Sequence, residues 1–207
     1  MAPKVKFSKQ EIVEAAVKIV REKGVEALTA REMAATLKVS TRPIFTYFDT
    51  MEQLKAEVFD YAKNLYKKYI ERGLKGPIPF FGVGQEYIRF AREEPELYKI
   101  LYLTKQEDEN EGAMKTLAFS QDMVRDSIMR IYNMDADTAD KYFRDLWLVV
   151  FSICTLIVTN ECPYSDEEIG KILTEISLSV CKAYKEIPGL STGDFDKDAI
   201  FRELVKK

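Results

Sequence analysis

Residues 29–54, TAREMAATLKVSTRPIFTYFDTMEQL, carry the reading on which the rest of the chain depends. Thr29 and Glu32 stand in the register of a capping box, in which the hydroxyl takes the third amide of a helix and the carboxylate reaches back. Met33, Ala34 and Leu37 then give an inward stripe, and Ala34 and Ala35 leave room for a second helix to approach. Lys38-Val39-Ser40 makes a turn, after which a second short helix is expected to run to Phe48. Ile44 and Phe48 are four apart and share one face of that helix. Arg42 and Thr46 each lie two residues from Ile44, about 200° around, and so face out. Thr41 and Phe45 sit beside them, and Tyr47 flanks the inward stripe. Pro43 biases Arg42 away from helical angles, which moves the start of the helix by a couple of residues without changing which side faces out. Helix, turn and second helix with Thr, Arg and aromatic side chains outward is the pattern of a helix-turn-helix DNA reader. Arg can grip guanine with two bonds, Thr methyls can touch thymine, and hydroxyls can hold phosphates.

The chain has 207 residues and a formal charge of −3, which runs against nucleic-acid binding until it is divided. Residues 1–55 hold 10 Lys and Arg against 7 Asp and Glu, and the remainder holds 21 against 27. A basic head on an acidic body leaves one end attractive to phosphate. Three cysteines, Cys154, Cys162 and Cys181, are too few and too irregular for a disulfide framework. No charged-then-apolar signal segment opens the sequence, and the longest apolar stretch, residues 146–158, is far short of the ~20 residues of a membrane span. From these features a soluble, cytoplasmic protein is expected.

Working outward, residues 2–7 form a basic arm with Lys4 and Lys6, which reads equally as a phosphate contact or a frayed terminus. Ser8 and Glu11 make another capping box ahead of Ile12, Ala15, Ala16, Ile19 and Val20, and Gly24 ends that helix as a left-handed residue. The same helix would bring Lys9 near a duplex backbone. A long helix from Asp49-Thr50 to about Arg72 repeats Leu54, Val58, Tyr61, Leu65 and Tyr69 at 3–4 spacing. Residues 73–79, GLKGPIP, break the pattern and mark a seam. Beyond it come helices over 80–93, from Pro95, over 113–133, 137–161 and 165–187, and a short one over 196–206. Residues 106–112 form an acidic loop without calcium-loop spacing. The helix over 137–161 is apolar almost all round in its middle, so it must be buried on all sides.

Residues 8–58 resemble the N-terminal domain of the TetR (tetracycline repressor) family. The likeness rests on Ile12, Ala15-Ala16, Gly24, Leu28-Thr29, Arg31, Met33-Ala34, Leu37, Val39-Ser40, Ile44-Phe45, Tyr47-Phe48, Glu52 and Leu54, in order and at the family's spacing. Two positions depart from it: Phe45 stands where the family commonly has Tyr, and Met51 where it commonly has Lys. The resemblance implies an all-α protein, with a helix-turn-helix DNA-binding domain over 1–55 and a helical ligand-binding and dimerisation domain over 56–207. It implies DNA contacts from Lys6, Thr29, Arg31, Ser40, Thr41, Arg42, Phe45, Thr46 and Tyr47. It also implies a four-helix bundle between two copies, to which Val150, Ile157, Ile172, Ile176 and Val180 would contribute. A cavity among the body helices would be lined by Tyr87, Phe90, Phe119, Met123, Trp147 and Phe151. No charged cluster stands out among the body residues, so the expected effector is apolar or aromatic.

The chain has no histidine, which removes Ser-His-Asp and Cys-His arrangements and imidazole metal sites. Phe81-Gly-Val-Gly84 lacks the third glycine and the strand–turn–helix setting of a phosphate loop. No catalytic residue, metal or cofactor is expected. The reading is a ligand-responsive transcriptional repressor that binds a near-palindromic operator as a homodimer and is released by a small effector. Its rivals are a thiol-based redox sensor and an all-helical enzyme.

Overall fold

The computed structural model describes residues 7–104 and 113–205. Lys4, Lys6 and the acidic loop of residues 106–112 lie outside the described residues. Within them the chain is all-helical: α1 (Lys9–Lys23), α2 (Ala30–Leu37), α3 (Met51–Leu74), α4 (Pro79–Glu93), α5 (Pro95–Tyr102), α6 (Ala113–Tyr132), α7 (Ala136–Val158), α8 (Asp166–Glu186) and α9 (Lys197–Val205). No helix among the described residues is long and apolar enough to cross a membrane.

Local chemistry sets the helix ends. Both halves of the capping box form at Ser8–Glu11 and at Ser165–Glu168. Only half forms at Thr29, whose side chain accepts the Glu32 amide. The Glu32 carboxylate takes the Lys23 ammonium at 2.6 Å instead, and the Thr29 amide turns to the Ala27 carbonyl. Gly24 closes α1 with a positive φ of 81° but an extended ψ of 166°, not the left-handed pair of angles expected. At the other end of α2, Lys38 adopts left-handed angles. The Val39 amide reaches the Ala34 carbonyl and the Lys38 amide reaches that of Ala35, the two bonds of a Schellman turn.

The expected second helix of the head is a correction. Residues 41–47 hold a single 3-10 turn, Ile44–Thr46, and no α-helix. Pro43 has no amide to donate and disfavours helical angles at Arg42, so helical structure starts only after it. Few residues remain before Asp49-Thr50, and the Thr50 side chain caps α3 by accepting the Gln53 amide. The facing survives the change of helix type. Ile44 and Phe48 are buried, while Thr41, Arg42, Phe45, Thr46 and Tyr47 are exposed.

One continuous set of buried side chains runs from Ile12 in the head to Val158 in the body. The buried stripe of α3 is Leu54, Val58, Ala62, Tyr66, Tyr69 and Ile70, with Tyr61 and Leu65 only half-buried. Helical steps of four from Val58 land on Ala62 and Tyr66, one position past the expected Tyr61 and Leu65. The seam over residues 73–79 is a tight hairpin between α3 and α4, the most extensively packed pair of helices in the fold. Gly73 on α3 is buried against the backbone of Gly82 on α4. α1 also packs on α5. The Arg21 guanidinium grips Glu94, at the corner between α4 and α5, with two bonds of 2.7 and 2.6 Å.

Candidate DNA-reading face and effector cavity

The outward side of the head is built around the buried pair Ile44 and Phe48. Fixing those two leaves Phe45 45% exposed, with Arg42 and Thr46 beside it. The Thr46 hydroxyl donates to the Arg42 carbonyl at 3.1 Å, one turn back, and keeps its acceptor lone pairs. Tyr47 donates its hydroxyl to the Phe7 carbonyl at 3.1 Å, which ties Phe7 to the turn. Thr29 and Arg31 sit at the N-terminus of α2, where free amides and the helix dipole favour an anion. Arg31, Lys38 and Ser40 are exposed on the same run of chain. Lys9 is drawn elsewhere: it pairs with Glu57 on α3 and lies 5.4 Å from the centre of the Phe48 ring.

In the body, α4 and α8 both pack on α7 but hardly touch each other, leaving a cavity of about 670 Å³ between them. The Arg92–Asp166 ion pair, at 2.5 Å, ties the two helices. That pair joins the C-terminal end of α4 to the N-terminal end of α8. Phe143, Leu146, Trp147 and Val150 of α7 form the floor. Tyr66 of α3 and Ser120 of α6 reach its inner wall, buried and joined hydroxyl to hydroxyl at 2.9 Å.

Of the six side chains expected to line this cavity, Tyr87 and Trp147 do. Phe90 is fully buried in the core behind it, and Phe151 stacks on Trp147 at 5.0 Å without reaching the wall. Met123 is half-buried elsewhere on α6, and Phe119 is 42% exposed. Both follow from α6 burying Leu117, Ser120 and Val124, which turns Phe119 outward.

The expectation that no charged cluster stands in the body is also corrected. Glu86, Arg89, Arg92, Glu93 and Asp166 all line the cavity. Each is answered. Glu86 is held by Arg72 from α3 and by Arg89 at 3.0 Å, Glu93 accepts the Tyr69 hydroxyl at 2.6 Å, and Arg92 holds Asp166. Helical spacing pointed to the buried side of α4, but the Arg72–Glu86 contact joins residues of different helices and has no local signature.

α7 and α8 leave large apolar side chains in solvent among their charged ones. Leu148 is 49% and Leu178 66% exposed, and Leu156 is exposed as well. Along α8 only Ile169 is fully buried. Val150, Ile157, Ile172, Ile176 and Val180 are half-buried, and Val150, Ile176 and Val180 pack against the protomer's own core. Of the cysteines, Cys154 is buried and its thiol is pushed well above the ordinary range by burial, whereas Cys162 and Cys181 are half-buried. A buried thiol of that kind holds no thiolate to react.

Residues 12–58 match a family model described as bacterial regulatory proteins, tetR family. No curated protein matches the chain. Among the solved structures that share its fold are the following two. One is a member of the TetR family from Streptomyces coelicolor A3, 22% identical, with 84% of this chain and 98% of that chain covered and a TM-score of 0.58. The other is the multidrug binding protein EbrR complexed with imidazole, 23% identical, with coverage of 81% and 88% and a TM-score of 0.53.

Proposed function

We propose that the chain, whose residues 12–58 match the tetR-family model, is a ligand-responsive repressor that binds a near-palindromic operator as a homodimer. The observation that carries the reading is the division of residues 41–48: Ile44 and Phe48 are buried, and Thr41, Arg42, Phe45, Thr46 and Tyr47 are left to solvent. In this reading Arg42 and Thr46 address base edges. Thr41, Phe45 and Ser40 pack along the groove wall, Thr29 and Arg31 hold a phosphate at the start of α2, and Tyr47 and Lys6 steady the backbone. Phe45 contributes ring contact only, having no hydroxyl for a phosphate.

We assign reading to residues 1–55 and effector binding and pairing to residues 56–207. α3 crosses that boundary unbroken, so the two parts share a helix. Pairing through α7 and α8 would cover Leu148, Leu156 and Leu178, an apolar surface that a lone protomer leaves wet. Two heads would then meet half-sites about 34–36 Å apart. The cavity between α4, α7 and α8 is the effector site in this reading. An effector releases DNA only to the extent that it prefers the state with misplaced heads, and about 5.5 kcal/mol of preference turns 1:99 into 99:1.

The test is selection of bound fragments from random duplex DNA, followed by a mobility-shift assay. The expected result is an inverted repeat bound by two protomers. Recovery of no preferred sequence, or of a single unrepeated half-site, overturns the reading.

A further inference from the structure

The charges on the cavity wall all stand at one end. Among the described residues that line it, only Glu86, Arg89, Arg92, Glu93 and Asp166 are charged, and they belong to the second half of α4 and the start of α8. The Arg92–Asp166 ion pair marks that end. Tyr142 of α7 marks the other: its ring lies 5.4 Å from that of Phe80 on α4, and its hydroxyl lies 2.6 Å from that of Ser177 on α8. Between the two ends, the first half of α4, the floor of α7 and residues 169–178 of α8 present no charged side chain to the cavity. At a rise of about 1.5 Å per residue, Phe80 and Arg92 are about 18 Å apart along α4. The cavity is therefore long, uncharged at one end and ionic at the other.

Two glycines widen it. Gly84 of α4 and Gly170 of α8 both line the cavity, and a Cβ on either would meet nothing within 4 Å. Glycine inside a helix weakens it, a cost that a close crossing requires at Gly73 and Gly82. Nothing comparable approaches Gly84 or Gly170, and what their missing side chains leave is room. The resulting volume of about 670 Å³ is of the size that small-molecule sites have.

We propose that the cavity takes a linear amphiphile, its apolar chain running past Gly84 to the Phe80 end and its ionised head at the Arg92–Asp166 end. The inference rests on the reading of this cavity as the effector site. An apolar chain gains by leaving water for the uncharged end, and an ionised head needs charged partners that only the ionic end supplies. Arg92 would take an anionic head, and Asp166 with Glu93 a cationic one. Either head competes for one member of the ion pair that ties α4 to α8. Trp147, the single tryptophan of the chain, lies in the floor, so its emission reports occupancy directly.

The experiment titrates the full chain, followed by Trp147 emission and kept below micelle formation, with decanoate, decyltrimethylammonium and decanol, and with the hexyl member of each series. The expected result is that one of the two ionised decyl compounds binds about tenfold or more tightly than decanol. It should also bind about tenfold or more tightly than its own hexyl homologue, since each methylene buried is worth about fourfold. Arg92→Gln should erase a preference for decanoate, or Glu93→Gln with Asp166→Asn a preference for decyltrimethylammonium, with decanol binding unchanged. Gly84→Leu puts a side chain into the open space and should remove the advantage of decyl over hexyl without weakening the hexyl compound. Decanol binding as tightly as both ionised compounds, binding of none of the compounds, or affinity independent of chain length overturns the proposal. So does a head preference that survives its variant, or a decyl advantage that survives Gly84→Leu. A Gly84→Leu chain that loses self-association by light scattering gives the cavity to a second copy and overturns it as well. Operator release is scored separately. An ionised amphiphile that binds as described without releasing DNA supports the proposal and counts against the repressor reading. Release by decanol as readily as by the ionised compounds supports the repressor reading and sinks the proposal.

Discussion

Gly73 and Gly82 meet backbone to backbone where α3 crosses α4. A Cβ on Gly82 would lie 2.2 Å from the Gly73 carbonyl oxygen, and one on Gly73 would lie 2.6 Å from the Gly82 carbonyl. No side chain can move aside there, since both obstacles are main chain. Gly82→Ala should therefore destabilise the protein by about 1–3 kcal/mol or more. Gly84, two residues along the same helix, has nothing within 4 Å of its added Cβ, so Gly84→Ala should stabilise by about 0.5–1 kcal/mol. Urea denaturation of the pair checks both signs, and equal effects would show that the crossing has slack.

Arg42→Ala should relax base preference by about 1–3 kcal/mol at one position of each half-site. Fragment selection with the variant reads this directly, and an unchanged preference would remove Arg42 from the readout.

Tyr47→Phe deletes the bond to the Phe7 carbonyl. It should weaken binding to all operator sequences alike, as a backbone contact does. A mobility-shift series over single-base operator variants checks it, and a loss confined to one base pair would point instead to direct readout.

Leu148→Asp places a charge on an apolar position of α7 that a single protomer leaves 49% exposed. The chain should remain folded while the proposed dimer dissociates, read by light scattering alongside circular dichroism. Ile176→Asp is a poorer probe, because Ile176 also packs against the protomer's own core. A Leu148→Asp protein that stays dimeric would move the interface off this part of α7.

The carboxyls of Glu11 and Glu168 are lowered first by the backbone amides of Ser8 and Ser165, and that of Asp135 first by the amide of Thr138. A carboxyl whose folded pKa lies below its unfolded value stabilises the fold fully above the unfolded value and ceases to as pH falls through the folded one. The chain has no histidine to change charge between pH 5 and 8. Thermal stability should therefore be level over that range and fall below about pH 4. A step near pH 6 would contradict the account.

How far the sequence could be read depended on how local each feature was. The boxes at Ser8 and Ser165 involve residues three apart and form as their spacing requires. The box at Thr29 failed because Lys23, from another helix, took the Glu32 carboxylate. Ile44 and Phe48 could be placed inside from spacing alone, but the helix joining them could not be kept once Pro43 limited it to one 3-10 turn. Tyr66 was hidden by its neighbour Leu65, although counting in fours from Val58 finds it. The ion-paired rim of the cavity and the Gly73–Gly82 crossing join different helices, and no spacing within one helix announces them.

That crossing gives α3 a fulcrum. At a rise of about 1.5 Å per residue, Tyr66 stands about 10 Å from Gly73 along the rod and Met51 about 33 Å. Swinging about the glycine pair, the rod would carry the reading turn about three times as far as it moves the tyrosine. In the proposed reading, a molecule that moved Tyr66 would therefore move the mouth of α3 further still.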